Sequence, residues 1–275
     1  MKLIVLSENS SVSDTLEHEH GLSIYIETAE HRILFDTGAG SAFQRNAEKL
    51  GVDLATVDLL VISHGHYDHG GGLRTFLKVN SRATIYLHKQ AFEAHYSKRA
   101  EGVADIGLDQ TLLPNERFVF CGDQAVIDEN IEVFSRVRPK RLYPSCNAML
   151  LMKRGDEFVP DDFAHEQNLV IQQDGKTMLI AGCAHKGIVN IVDACKDRLG
   201  QYPDYFVGGF HLTGQRGNQS ETPDVVDAIG EYLASMPARY YTCHCTGKEN
   251  LQRLKRILGE RIRPLSTGDR ISIEM

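Results

Sequence analysis

The sequence lacks the long apolar run that a membrane-spanning helix requires. Such a helix needs about 20 consecutive apolar residues, and no stretch of this 275-residue chain approaches that length. The first residues, Met1 to Ser7, become polar too early for a signal peptide and are typical of a first β-strand. We therefore expect a cytoplasmic protein with no membrane partner.

Basic residues are scarce relative to acidic ones. Lys and Arg total 30 against 37 Asp and Glu, which gives a formal net charge of −7. A general nucleic-acid-binding protein should carry a basic excess, because it must neutralise phosphates. We therefore expect a small-molecule substrate and no nucleic-acid partner.

Signs of disulfide scaffolding, disorder and internal repetition are also missing. Six cysteines in a chain without a secretion signal do not predict a disulfide framework. The hydrophobic fraction of 42% and the charged fraction of 24% are ordinary for a globular protein. We find no short repeat, linker or low-complexity tract. We expect one domain over residues 1–275, with an insertion or a lid around residues 87–160, where the pattern is least regular.

Apolar runs and turn residues predict two similar α/β halves. The first half has strands at residues 2–7, 21–28, 31–35 and 57–63 and a helix at 41–50. The second half has strands at 169–173, 177–181, 205–208 and 239–242 and helices at 187–199, 223–234 and 250–258. Asp174-Gly175 is a strong hairpin signal between the first two of these later strands.

Histidines concentrate where the predicted strands end. The pattern His64-x-His66-x-Asp68-His69 follows a nearly continuous apolar run and precedes three glycines, which let the backbone turn closely. Imidazole and carboxylate are ligands that suit zinc, iron and manganese. Four candidate ligands within six residues cannot all serve one tetrahedral ion that also takes a histidine from elsewhere. The spacing therefore predicts two divalent metal ions, zinc, iron or manganese.

Several motifs resemble those of one known family. Residues 63–71 resemble the HxHxDH signature of the metallo-β-lactamase superfamily, and the strand end Asp36-Thr37-Gly38 looks like another of its motifs. Residues 182–185, 208–212 and 243–247 look like the branch named after 7,8-dihydropterin-6-methyl-4-(β-D-ribofuranosyl)aminobenzene-5'-phosphate synthase. The order of strands, loops and helices is similar over essentially the whole chain.

The resemblance implies an α/β fold, the four-layer αβ/βα sandwich of this superfamily, with two metal ions at one edge of its sheets. It also implies a role for each matching residue. His64 and His66 would bind the first ion, while Asp68 and His69 would bind the second. His244 matches the last histidine of the superfamily and would complete the second site.

The chain departs from the family pattern at the end of the strand at residues 177–181. Most members have a bridging aspartate there, whereas this chain has Cys183 and His185. We expect His185 to be the remaining ligand of the first ion, with His165 as the rival. Cys183 either bridges the ions as a thiolate or packs under the site as a small buried residue.

The roles of other residues near strand ends are less constrained by the sequence. His211 is a candidate ligand or substrate contact, or else a histidine that supports a ligand. Asp36 is expected to orient a ligand histidine through its other ring nitrogen. Cys243 and Cys245 flank His244, and alternation along an extended segment predicts that both point away from it into the core. The remaining histidines are expected to be ordinary surface or packing residues: His18, His20, His31, His88 and His95.

The leading functional hypothesis is a metal-dependent hydrolase acting on a phosphoester or a related small molecule. Two ions a few ångströms apart lower the pKa of a shared water, and the resulting hydroxide attacks a phosphorus or carbonyl centre. Asp68 and His211 are the candidate catalytic residues. Arg216 lies in the loop at residues 213–220 and is either a phosphate clamp or part of a solvent loop. The alternatives are a pterin-linked synthase and, because the bridging aspartate is missing, a non-catalytic metal-binding sensor.

Overall fold

Two mixed β-sheets face each other in the computed structural model, which describes residues 1–214 and 219–273. The first sheet has the order β18 (Arg270–Ser272), β1 (Lys2–Ser7), β2 (Ser23–Glu27), β3 (Arg32–Phe35), β4 (Leu59–Val61), β5 (Thr84–His88), β8 (Phe118–Cys121). The second has the order β17 (Ile262–Pro264), β16 (Arg239–Thr242), β15 (Tyr205–Gly208), β14 (Lys176–Ile180), β13 (Asn168–Gln173), β10 (Ile131–Phe134), β9 (Gln124–Val126).

Helices cover the outer faces of both sheets. They are α1 (Ala42–Leu50), α2 (Tyr67–Gly70), α3 (Leu73–Val79), α4 (Ile188–Leu199), α5 (Pro223–Ala234) and α6 (Lys248–Leu258). Apolar side chains of α1 and α3 pack on the first sheet, and those of α4, α5 and α6 pack on the second. A separate core lies between the sheets, where β1 to β3 meet β13 to β15. The chain therefore has the four-layer αβ/βα sandwich that the resemblance implied.

Local sequence signals account for several element boundaries. Asp174 and Gly175 have φ angles of 50° and 77° in the hairpin between β13 and β14, which suits the tight turn predicted there. Gly51 ends α1 with a left-handed φ of 71°. Pro223 begins α5, a position where its missing N–H costs no hydrogen bond. The predicted elements in both halves match the observed ones to within a few residues.

Parallel pairing brings the carboxyl ends of the key strands to one edge. β3 pairs with β4 in the first sheet, and β14, β15 and β16 pair in sequence in the second, all in parallel. Residues that follow these strands therefore meet across the two sheets. This is the edge at which the resemblance placed the metal ions.

The middle of the chain contributes a small third sheet. Its order is β12 (Glu157–Pro160), β11 (Leu150–Arg154), β6 (His95–Arg99), β7 (Gly102–Asp105). These strands fall within residues 87–160, the segment expected to hold an insertion or a lid. That role stays a prediction.

The described helices and the cysteines bear on two of the points raised by the sequence, membrane spans and disulfides. No helix within the described ranges is long and apolar enough to cross a bilayer. All six cysteines are buried and free.

His31 lies just before β3, at the end of the strand away from the edge described above, and links the two sheets. Its Nδ1 lies 2.9 Å from Asp58 Oδ1 in the first half, and its Nε2 lies 2.8 Å from Asp128 Oδ2 in the second half. Partial burial opposes protonation of His31, but hydrogen bonds and charge from the two aspartates outweigh it and raise its pKa above the ordinary value. The histidine therefore connects two segments that are 70 residues apart.

We expect His31→Gln to destabilise the protein at acidic pH only. A histidine whose pKa is raised in the folded protein adds stability at pH values below its unfolded-state pKa of 6.5. This added stability is lost as the pH rises through the folded-state pKa. The free energy of unfolding should fall by about 1 kcal/mol at about pH 5.5 and change little at about pH 9. Urea denaturation at both pH values measures the difference. His18→Gln is the control, and an equal loss at both pH values in His31→Gln would contradict the prediction.

Candidate metal centre

The candidate ligands lie on loops that follow parallel strands. Residues 63–69 follow β4, and the short helix α2 holds Asp68 and His69. Cys183 and His185 follow β14, His211 follows β15, and His244 follows β16. All of these side chains are buried. The structure thus brings together every metal ligand that the resemblance assigned.

Asp68, His69 and His244 form one group of facing donor atoms. His69 Nε2 lies 3.2 Å from His244 Nε2, and Asp68 Oδ2 lies 3.4 Å from His244 Nε2 and 3.9 Å from His69 Nε2. A tetrahedral ion with ligand bonds of about 2.0–2.1 Å needs donors roughly 3.3 Å apart. The spacing of this group therefore suits a bound metal ion.

His64 and His185 form the second group of facing donor atoms, and the ring of His66 lies beside them. His64 Nε2 lies 3.3 Å from His185 Nε2, and the His66 ring centroid is 4.5 Å and 5.1 Å from those of His64 and His185. His66 Nε2 is buried and has no hydrogen-bond partner within the described ranges. A buried nitrogen without a partner is unfavourable, and a bound ion would satisfy it.

Cys183 lies between the two groups. Its Sγ is 3.2 Å from His69 Nε2. It also lies within 4.8 Å of donor atoms of His64 and His185, and of His69 and His244. The thiol therefore occupies the place between the groups, where a bridging ligand would be needed in the absence of an aspartate.

Contacts to the Nδ1 atoms fix the orientation of four histidine rings in the candidate site. The Nδ1 contacts are His69 to Asp36 Oδ2 at 2.7 Å, His244 to Asn9 Oδ1 at 2.9 Å, His185 to Asn147 Oδ1 at 3.0 Å and His64 to Ser63 Oγ at 2.8 Å. The oxygens of Asp36, Asn9 and Asn147 accept hydrogen bonds, so the Nδ1 atoms facing them carry protons and the Nε2 atoms face the donor groups. Two facing Nε2 atoms need either a proton or a metal ion between them. The donor set therefore fits metal ions.

The charge environment supports ligation in both groups. Burial, followed by repulsion from neighbouring histidines, holds the pKa of His64, His66 and His185 well below the ordinary value, so these rings are neutral. His69 differs: burial opposes its charge, but Asp36 and Asp68 outweigh that effect and raise its pKa to about 9. In the metal-free protein a proton on His69 takes the place of a cation, and metal binding would release it.

Comparison with known proteins identifies the family of the chain. The family model described as metallo-beta-lactamase superfamily matches residues 17–217, which is more than half of the chain. The chain belongs to the metallo-β-lactamase superfamily. The superfamily assignment made from the sequence motifs is thus confirmed, and so is its fold.

Three relatives show how far the likeness extends. An uncharacterized protein of Methanocaldococcus jannaschii, MJ0448, is 30% identical over 242 residues, 87% of this chain and 88% of that protein. The 7,8-dihydropterin-6-methyl-4-(beta-D-ribofuranosyl)-aminobenzene-5'-phosphate synthase of the same organism is 26% identical over 90% of this chain and 88% of its own. The crystal structure of Tm1679, described as a metal-dependent hydrolase of the β-lactamase superfamily, is 29% identical, covers both chains fully and has a TM-score of 0.83.

His165, the rival ligand, has a donor atom within 4.8 Å of donor atoms of His66, His95 and Asp161. Its Nδ1 accepts a hydrogen bond from the Gly65 N–H at 2.9 Å, and its Nε2 lies 3.3 Å from Asp161 Oδ2. His95 Nδ1 contacts the same carboxylate oxygen at 3.0 Å. Both nitrogens of His165 are therefore engaged, and its ring supports the backbone between His64 and His66.

Two histidines outside the motifs lie near the donor groups. His95 is buried and joins the cluster behind the loop through Asp161, which agrees with the packing role predicted for it. For His20 the prediction of an ordinary residue was wrong. His20 Nε2 lies 3.2 Å from Asp68 Oδ2 and lines the cavity above the donor groups. Neither residue sits in a motif, and each reaches the site only because distant segments fold together.

Sequence reasoning also missed the asparagines that hold the ligand rings. Asn9 follows β1 at the same edge as the ligands, so its position after a strand was a usable signal. Asn147 lies in the short 3₁₀ helix Ser145–Met149, in the irregular middle of the chain, where no pattern pointed to it.

The prediction for Cys245 was wrong, whereas Cys243 lies in the core between the sheets as expected. β16 ends at Thr242, and His244–Thr246 forms a 3₁₀ turn in which His244 has a φ of 55°. Alternation of side chains does not extend beyond the strand, so Cys245 turns toward the cavity and lines it. His211 lines the same cavity. Arg216 lies outside the described residues.

The cavity has a volume of about 340 Å³ and opens above both donor groups. Its lining includes candidate ligand side chains such as Asp68, His185 and His244. It also includes Lys98 and Arg99 at the end of β6. Donor groups and cationic residues therefore line the same cavity.

Proposed function

We propose that the protein is a hydrolase that uses two divalent metal ions, zinc, iron or manganese, to cleave a phosphoester or a related small anionic substrate. The observation that carries the proposal is the pair of donor groups at a cavity whose lining also includes cationic residues. Bound divalent ions would act as Lewis acids toward a phosphoryl or acyl oxygen and would lower the pKa of water. The residues of the chain position the reactants.

In this proposal each of the two groups of residues holds one metal ion. His64, His66 and His185 would hold one ion, and Asp68, His69 and His244 the other, with Cys183 between them. Asp36 fixes the ring of His69, while Asn9 and Asn147 fix those of His244 and His185. Such contacts set the tautomer and orientation of each ring before metal binds.

Asp68 and His211 face the substrate side of the centre. Burial would raise the pKa of Asp68, but the charge of His69 and hydrogen bonds from His20 and His244 outweigh it and hold the pKa well below the usual range. Asp68 therefore stays ionised and accepts hydrogen bonds from a water molecule or a ligand. His211 lines the cavity, and neither of its ring nitrogens has a hydrogen-bond partner within the described ranges, so a ring nitrogen can contact the substrate.

The cationic wall, Lys98 and Arg99, favours an anionic substrate. Both residues line the cavity and come from the small third sheet. An arginine can bind a phosphate through two parallel hydrogen bonds, which fixes both its position and its orientation. A phosphoryl group held here would be presented to the donor groups below.

The test is a hydrolysis screen of metal-reconstituted protein against its His66→Ala variant. Phosphodiesters, phosphomonoesters and acyl esters are offered with zinc, iron or manganese in turn, at low oxygen for iron. We expect at least one phosphoester to be cleaved by the wild type and not by His66→Ala. If no ester is cleaved above the variant, the hydrolase proposal fails, and metal and ligand binding without turnover would favour the sensor alternative.

The similarity to the M. jannaschii synthase supports a second candidate, a pterin-linked synthase. Its substrates would be a dihydropterin and a ribofuranosylaminobenzene phosphate, whose phosphate also suits the cationic wall. Formation of the pterin adduct under anaerobic iron or manganese loading would favour the synthase. Absence of turnover under those conditions would count against it.

We expect Arg99→Ala to weaken binding of a phosphoester substrate without changing the chemical step. Loss of one charge-assisted contact should raise KM about 10-fold, equivalent to about 1.4 kcal/mol, and leave kcat within about twofold. Steady-state kinetics with the best substrate of the screen measure both. Arg154→Ala is the matched control, because Arg154 lies in β11 of the same small sheet and pairs with Asp162. The prediction is contradicted if the KM of Arg99→Ala equals that of the wild type.

A further inference from the structure

A third set of donor atoms lies beside the two groups described above. Cys183 Sγ, Cys245 Sγ and a ring nitrogen of His211 lie within 4.8 Å of one another. Their side chains follow β14, β16 and β15, and all three residues line the cavity. We call these three residues the Cys–His–Cys group. Only Cys183 is shared with the two groups assigned above.

His211 provides an independent sign that this group binds something. The residue is 7% exposed, and both of its ring nitrogens are buried without a hydrogen-bond partner in the described part of the chain. Buried polar atoms in proteins nearly always have partners. His211 also adopts a left-handed φ of 49°, a conformation that residues other than glycine rarely take and that clusters at functional sites.

The backbone is shaped to admit the Cys245 sulfur. A Cβ atom at Gly209 would lie 2.6 Å from Cys245 Sγ, so a larger residue there would force the thiol to shift from this position. The same Sγ lies 3.5 Å from the carbonyl oxygen of Cys183. The segments after β14, β15 and β16 therefore approach closely enough to bring two thiols and an imidazole to one point.

We propose that Cys183, His211 and Cys245 bind an additional transition-metal ion, zinc or ferrous iron, through two thiolates and one imidazole. Thiolate ligands favour such ions over magnesium, calcium and manganese. Binding deprotonates the two thiols and releases their protons to solvent. Three protein ligands leave a fourth position open to the cavity, and the second ring nitrogen of His211 stays free for a substrate.

The proposal concerns metal content and does not depend on the hydrolase reaction. Cys183 can serve this ion and the neighbouring centre together, because a thiolate sulfur has more than one lone pair. Wild-type protein should therefore hold one ion more than a variant that keeps Cys183 and loses another member of the group. A failed hydrolysis screen would leave this expectation unchanged.

Zinc content tests the site directly. Metal-free protein is dialysed against zinc, and bound zinc per chain is measured by elemental analysis. We expect the wild type to hold one zinc ion more than His211→Ala and Cys245→Ala. Cys195→Ala is the control, because Cys195 is buried in α4 within the outer core, and it should match the wild type. Equal zinc content in the wild type and His211→Ala would overturn the proposal.

Cobalt(II) gives a second, spectroscopic measurement. Cobalt is added stepwise to metal-free wild-type protein, and thiolate-to-cobalt absorption in the near ultraviolet is followed. We expect this absorption at saturation to be larger in the wild type than in folded Cys245→Ala, because one more thiolate binds cobalt. A wild type that binds no more than two cobalt ions per chain at saturation would overturn the proposal, even if the variants fail to fold.

Discussion

His185→Ala is expected to lose a bound ion that His165→Ala keeps. His185 Nε2 faces His64 Nε2 at 3.3 Å, with its Nδ1 held by Asn147. Both nitrogens of His165 are used by Gly65 and Asp161. Removing a ligand eliminates the ion, whereas removing a supporting residue weakens binding by about 10–100-fold.

His185→Ala and His165→Ala should also differ in activity. With a phosphoester substrate at saturating metal, we expect His185→Ala to lose about a thousandfold in kcat/KM, equivalent to about 4 kcal/mol of transition-state stabilisation. His165→Ala should recover most of its activity as the metal concentration is raised, since its defect is one of affinity. Elemental analysis and kinetics over a metal titration measure both effects.

His88→Gln is the control for this comparison, because His88 is a buried histidine at the end of β5 whose Nδ1 accepts a hydrogen bond from the Gln90 N–H. It should resemble the wild type in both measurements. The assignment is wrong if His165→Ala has fewer ions than the wild type at saturating metal while His185→Ala retains the full number.

The fold and the positions of most candidate ligands were predictable because they depend on local patterns. A continuous apolar run ending at residue 63, followed by His64 and His66, marks a buried strand and the polar loop after it. The same pattern recurs at the ends of β14 and β16, before His185 and His244. Parallel strands then bring these loops to one edge, so the sequence positions alone indicate proximity.

Other parts of the site depend on contacts that leave no local signal. His95 and Asp161 are 66 residues apart and meet through His165 behind the metal loop. Cys245 was assigned to the core by extending strand alternation past Thr242. The left-handed φ of 55° at His244 ends that alternation, and a non-glycine residue gives no advance sign of such a conformation.

Asp36→Ala is expected to be among the most destabilising single substitutions in the metal-free protein. Asp36 is fully buried, and its carboxylate accepts three hydrogen bonds of 2.7 Å, from Ser63 N–H, Ser63 O–H and His69 Nδ1–H. Removing it leaves these donors without their partner. The free energy of unfolding should fall by about 3–5 kcal/mol, the cost of breaking a buried charged pair, as measured by urea denaturation. Asp53→Ala, which removes an exposed capping carboxylate, should cost about 1 kcal/mol.

The milder variant Asp36→Asn tests the charge alone through its pH dependence. The pKa of His69 is about 9 in the folded metal-free protein, against 6.5 for an ordinary histidine. The stability that this raised pKa provides is therefore fully present below about pH 6.5 and is lost as pH rises through about 9. Because Asp36 is the largest favourable contributor to that shift, the stability gap between the wild type and Asp36→Asn should be largest near pH 6 and should narrow above about pH 9. A gap that stays constant over this range would show that Asp36 acts through hydrogen-bond geometry and not through its charge.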